Sequence, residues 1–159
     1  MIIVGPDAGS GYEWGNAASV SAIQNSGKPI IGLYNGGASL FQELGLSINW
    51  GHGGYPGPGD TRIYVVDPSH VIFNSPHSIS VPGDQIVQLY SSLSPLIHEY
   101  APRLSSEAIL LGRHPSPAQI SYYPLVQEGQ NILWGFAASP ESMTQVGKDL
   151  FLNVVDFLM

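Results

Sequence analysis

The residues Gly32-Leu33-Tyr34-Asn35-Gly36 follow an apolar run, Ile30-Ile31, and precede a helical segment, giving the form strand, G-x-nucleophile-x-G, helix. Glycines on either side allow the central residue a strained turn that aims its side chain away from the sheet, above helix N–H groups. Tyr34 holds that central position. A phenol there can act as a general acid or as a platform on which a ligand stacks, against the favoured reading of a ring that simply plugs a dead pocket, and the N–H groups of Asn35 and Gly36 are expected to face a developing oxyanion. Ser10, between Gly9 and Gly11, is a second candidate nucleophile, or else an N-cap. A base must come from histidine. His52 ranks first, because the glycine-rich stretch 51–60 can fold over the mouth of the turn and bring Asp60 with it; His114, in Arg113-His114-Pro115, ranks second. His70 and His77 flank the run Val71 to Phe73 and are expected to hydrogen-bond backbone there. None of the five histidines stands in H-x-x-x-H or H-E-x-x-H spacing, so no metal ligands are assigned. The candidate catalytic residues are thus Tyr34, Ser10, His52 and His114. Gly9, Gly11, Asn35, Gly36 and Asp60 are the candidate binding residues.

These residues need a scaffold that brings residues 5–11, 32–37 and 51–60 to one place. Ile2 to Val4 reads as a buried strand closed by Gly5-Pro6-Asp7, and Tyr12 to Asn25 carries a helical spacing of apolar residues that stops at Ser26-Gly27. A second buried strand, Ile30 to Leu33, leads through the turn into a helix from Ala38 to about Leu44. The order βαβα with continuous apolar strands predicts a parallel sheet with helices on both faces. Residues 51–60 are too rich in glycine and proline for helix or central strand and are expected as an exposed loop. Further strands are expected at Arg62 to Val66, Val71 to Phe73, Ala108 to Leu111, Ile120 to Val126 and Asn131 to Phe136, with a short helix from Asp84 to Ser91. The last two strands are joined by Gln127-Glu128-Gly129-Gln130 as a β-hairpin. Met143, Val146, Leu150, Phe151, Val154, Phe157 and Leu158 recur at steps of three and four, which predicts a closing helix with Ser139 as N-cap and Pro140 at its first position.

Three segments together resemble the class I glutamine amidotransferases. Gly32-Leu33-Tyr34-Asn35-Gly36 is similar to their Gly-x-Cys-x-Gly elbow, Val4 to Gly11 to their glycine-rich oxyanion loop, and Leu133-Trp134-Gly135-Phe136 with Ser139-Pro140-Glu141 to the segment carrying their catalytic histidine. The resemblance implies a flavodoxin-like α/β fold, a three-layer sandwich with a mostly parallel central sheet, to which a C-terminal β-hairpin and helix are added. It also implies that the chemistry is gone: Tyr34 stands in place of the cysteine and Ala137-Ala138 in place of the histidine, leaving only Glu141 for the third member. Glutamine hydrolysis by the family's route is excluded. The family has two strands and a helix ahead of the loop strand, which here begins at residue 2, so residues 1–159 are expected to be a single domain that is N-terminally incomplete, either a homo-oligomer or part of a longer protein.

Composition narrows the partners. Charged residues make up 11% of the chain, against roughly 25% in an average soluble protein. With five Lys+Arg against twelve Asp+Glu and a net charge of −7, there is no basic stripe for a phosphate backbone, so nucleic acid is not expected. No apolar run reaches the roughly 18 residues of a membrane span, so no membrane partner is expected and the chain reads as soluble, whether cytoplasmic or secreted. The absence of cysteine removes disulfides and thiolate chemistry, and no cofactor is called for. Nineteen glycines and thirteen prolines point to many fixed turns. The aromatic residues Trp14, Trp50, Trp134, Tyr55, Tyr122 and Tyr123 are either core or the lining of a sugar-binding surface. The first functional expectation is a non-glutaminase, amidotransferase-like domain that binds a small molecule or a partner, or is structural. The second is an ester or lactone hydrolase using Ser10 or Tyr34 with His52 or His114; the third is a metal-dependent hydrolase using His52, Asp60 and another histidine.

Overall fold

A computed structural model describes the chain apart from residue 54 and the side chains of residues 55–58. In chain order the elements are β1 (Ile2–Val4), α1 (Ala17–Ser26), β2 (Ile30–Leu33), α2 (Tyr34–Glu43), β3 (Tyr55–Asp60), β4 (Arg62–Val65), β5 (Ile86–Gln88), β6 (Ser94–Tyr100), β7 (Ala108–Arg113), β8 (Tyr122–Tyr123), β9 (Leu125–Glu128), β10 (Asn131–Trp134) and α3 (Gln145–Phe157). Short 3-10 turns stand at Trp50–His52, Val71–Phe73, Ala101–Arg103, Pro117–Gln119 and Pro140–Ser142.

Seven strands form one sheet in the order β1-β2-β10-β9-β7-β4-β5, and β3, β6 and β8 form a second. Only β1 with β2 and β2 with β10 run parallel; β10 with β9, β9 with β7, β7 with β4 and β4 with β5 are antiparallel. This corrects the expected fold. The sheet is mixed and mostly antiparallel, it carries a second sheet, and a mostly parallel flavodoxin-like sandwich is not what this chain forms. The reason lies between residues 60 and 134. A parallel neighbour needs a crossover of a dozen or more residues, usually a helix, whereas antiparallel strands close through short turns. The segment from Asp84 to Ser91, expected as a helix, instead supplies β5, paired with β4 from Ile86↔Tyr64 to Gln88↔Arg62. Val71 to Phe73 is a 3-10 turn and not a strand. Residues 51–60 are likewise not simply a loop, since the backbone of β3 pairs with β6 at the edge of the second sheet. What that expectation placed on Gly54 and on the side chains of 55–58, including Tyr55, lies outside the described residues.

Two apolar layers flank the main sheet. Val4, Ile30, Ala38, Leu40, Phe41, Ile48, Ile97 and Leu133 are buried together on the face covered by α2, while Ile31, Ile63, Leu89, Trp134, Leu150 and Val154 are buried on the face covered by α3. Each of the Val, Leu, Ile and Phe side chains among them contributes roughly 1.5–3 kcal/mol when fully removed from water. α1 starts later than its apolar spacing suggests because Asn16 caps it, accepting from Ser19 N at 3.0 Å, and it stops at Gly27 in the left-handed conformation (φ 60°). α3 is capped by Thr144, whose hydroxyl accepts from Gly147 N at 3.0 Å; Ser139 and Pro140, expected at its start, form the separate turn Pro140–Ser142. No helix among the described residues is long and apolar enough to cross a membrane.

Candidate functional site

α2 begins without a connecting loop, Leu33 closing β2 and Tyr34 opening the helix. Tyr34 sits at φ 45°, in the left-handed region that residues with a Cβ rarely enter, so the strained turn read from the glycines is present. The glycines around it permit contacts no other residue allows. A Cβ on Gly36 would be driven into the Gly5 carbonyl, and one on Gly37 into the backbone of Gly32. The helix start is thereby pressed against the loop after β1. Gly36 N donates to Pro6 O at 2.8 Å and Ser39 Oγ to Gly11 O at 2.9 Å.

That closeness uses up one of the two donors expected to face an oxyanion. Gly36 N–H is taken by Pro6, Ala8 N by Gly5 O at 3.2 Å, and Ser10 N by Glu13 O at 3.0 Å. Gly9 packs on Trp14 and Gly11 lies beside Trp50 at φ 63°, so both serve the packing of the loop. Asn35 leaves its Oδ1 buried and without a partner. Ser10 is exposed, and among the described residues no histidine nitrogen hydrogen-bonds to it or to Tyr34.

The histidines go elsewhere. His52 ends the turn Trp50–His52, with its Nδ1 3.1 Å from Ser47 O and its own N–H donating to Asn49 Oδ1 at 3.0 Å. His70 caps the turn Val71–Phe73, accepting from Ile72 N, and His77 N donates to Asn153 Oδ1 at 2.8 Å. His114 does meet Asp60, Nε2 to Oδ2 at 3.9 Å, but this happens at the seam between β7 and the second sheet. His114 Nδ1 accepts from Ser116 N at 3.1 Å, and its buried Nε2 has no hydrogen-bond partner. Its ring meets His98 edge-on at 5.9 Å, and His98 leans on Tyr122 at 4.6 Å. Burial, with His114 nearby, pushes His98 down to about 4. Asp60 is held below the usual carboxylate range, burial being outweighed by Arg62 and the N–H of Thr61. Neighbouring Glu99 is fully buried with both carboxyl oxygens unpartnered; burial, with Glu128 close, raises its pKa well above the ordinary value. Among the described residues no group of three or more His, Asp or Glu could hold a metal ion.

One cavity of about 600 Å³ lies at the carboxyl ends of the three parallel strands. Pro6 and Asp7 line it from beyond β1, Leu33 from the end of β2, Trp134 to Ala138 without Gly135 from β10 and its continuation, and Lys148, Phe151 and Leu152 from α3. In α/β sheets the carboxyl ends of parallel strands are where ligands collect, and the volume falls in the usual range for small-molecule sites. The polar ends of two of the lining rings face each other, Trp134 Nε1 donating to Tyr90 Oη at 3.0 Å. Burial pushes the Tyr90 phenol up to about 12. Ala137 N and Ala138 N both donate to the buried Ser94 Oγ, at 3.0 and 2.9 Å, which fixes the wall where the resemblance placed a histidine. Glu141 lies on the exposed turn beyond.

The cavity is not the elbow's own. β2 directs Leu33 to the α3 face, while Tyr34 packs among the residues under α2. Sequence reasoning missed this site because its walls are ordinary apolar residues; the only signal was the stepped pattern of α3, which places Lys148, Phe151 and Leu152 on one helix face. Comparison with protein-family models, curated proteins and solved structures gives no match to this chain.

Proposed function

We propose that this chain is a non-glutaminase binding domain that holds a small, predominantly apolar molecule in the cavity between the ends of β1, β2 and β10 and the face of α3. The cavity itself carries the reading: about 600 Å³ lined by Leu33, Tyr90, Trp134, Phe136, Met143 and Phe151. The turn at Tyr34, with no cysteine in the chain and the Gly36 N–H occupied by Pro6 O, favours binding over acyl transfer.

The test is binding of a neutral apolar dye, Nile red, followed by its blue-shifted emission. One saturable site is expected, lost in Ala138→Trp and weakened in Met143→Trp, with near-UV circular dichroism confirming that each variant is folded. Absence of saturable binding to the unaltered chain, or binding that both folded variants retain in full, would sink the proposal.

A further inference from the structure

We infer that the cavity selects a monocarboxylate with an apolar body, the carboxylate lying at Lys148 and the body against Leu33, Trp134 and Phe151. This rests on the cavity being a binding site and adds the class of molecule it takes. Most of the lining is apolar, and the polar ends of Tyr90 and Trp134 are turned to one another. Charge enters the walls at two points only, Asp7 beyond β1 and Lys148 on α3. Lys148 stands three and four residues ahead of Phe151 and Leu152, so one helix face presents a cation directly beside an apolar wall.

Lys148 is also unclaimed by the protein. Both ion pairs among the described residues involve Asp60, at the far seam. Exposed Glu141 is held low chiefly by Ser139, with Lys148 the least of the influences on it. In a chain with five Lys+Arg and twelve acidic residues, an unclaimed ammonium at the rim of an apolar cavity is the feature that distinguishes an anionic ligand from a neutral one. Asp7, also in the lining, repels a second negative charge, which limits the ligand to one carboxylate and keeps it at Lys148.

Competition against bound Nile red with decanoate and decanol, each below its aggregation limit, at pH 7.5 and low salt, separates the possibilities. Decanoate is expected to displace the dye at lower concentration than decanol, and Lys148→Gln is expected to weaken decanoate about five- to tenfold while leaving decanol unchanged. Lys148 is exposed, so this change should not disturb folding. Asp7→Asn is expected to tighten decanoate by about two- to threefold. Equal displacement by the two ligands, failure of decanoate to displace the dye, or a decanoate affinity indifferent to Lys148→Gln overturns the carboxylate assignment while dye binding that is lost in Ala138→Trp keeps the cavity. Loss of dye binding in the unaltered chain overturns both.

Discussion

Where β1, β2 and β10 lie side by side, Gly36 and Gly37 have no room for a methyl group and a largely apolar cavity opens at the rim; where β3, β6 and β8 meet β7, the chain buries titratable side chains whose polar atoms have no partner. The second holds His98, Glu99, His114 and Asp60, residue types that usually suggest chemistry. Their contacts form a seam: His98 meets His114 edge-on and leans on Tyr122, and the Asp60 carboxylate is tied to Arg62. Unusual side chains mark the seam, and ordinary ones mark the cavity.

The sharpest way to break the comparison is to crowd the parallel end. Gly36→Ala forces a methyl group onto the Gly5 carbonyl and Ala8 N, both backbone, which cannot swing aside as a side chain would. Overpacking typically costs about 1–3 kcal/mol and more where backbone must move, so a loss of about 3 kcal/mol or more is expected in urea unfolding. Gly5→Ala, in the same contact but with nothing within 4 Å of its added methyl, is expected to change stability by less than about 0.5 kcal/mol. Similar values for the two variants would show that the elbow is not held by close approach.

At the seam the effect is a pH profile. His98 is held at about 4, below its unfolded value of 6.5, so the unfolded chain binds more protons below pH 6.5; the stability is complete above 6.5 and is lost as pH falls towards 4. His114, also lowered by burial with Asp60 opposing and Arg62 and Arg113 adding to the shift, acts in the same direction. The total from His98 is at most about 3 kcal/mol, on 1.36 kcal/mol per pH unit. Glu99 works in the opposite direction. Its raised pKa keeps a proton that the unfolded chain releases, so its contribution is complete below about 4.5 and falls as pH rises. The two slopes oppose one another above pH 4.5. Thermal unfolding across pH 4–9 should therefore show Glu99→Gln more stable than the unaltered chain at pH 8, with the gap closing towards pH 4.5, and His98→Phe with a shallower loss on the acid side. A flat difference between either variant and the unaltered chain would mean that the group titrates alike folded and unfolded.

The legible part of this chain was its local signalling. Ile30 to Leu33, the turn at 32–37, the hairpin at 127–130 and the helix ending at Phe157 were written in apolar spacing and glycines. Sheet direction was not. Ile86 to Gln88 carries no period long enough to separate strand from helix, and its pairing with Tyr64 is decided by partners far along the chain. For the site, Asp60 and His114 are drawn together, yet nothing in their spacing said that they would meet at a seam. The cavity was hidden because Leu33, Trp134 and Phe151 look the same in sequence whether they fill a core or line a hollow in it.

The smallest expected effect bears on the elbow itself. In the first turn of an ordinary helix, glycine is worse than alanine by about 1 kcal/mol, because it gives up more backbone freedom. Tyr34 opens α2 at φ 45°, where a residue with a Cβ is strained by roughly 1–2 kcal/mol and glycine is not. Both Tyr34→Gly and Tyr34→Ala lose the ring's contacts under α2, so the difference between them isolates the backbone. Tyr34→Gly should accordingly be the more stable of the two by about 1 kcal/mol, reversing the usual helical order, as read from urea unfolding midpoints. Nile red affinity should be the same in both, since Tyr34 faces away from the cavity. If alanine is tolerated better, the turn is an ordinary helix start and holds no backbone strain. If dye binding shifts with stability intact, the elbow and the cavity form one site, and the division between the faces of β2 no longer holds.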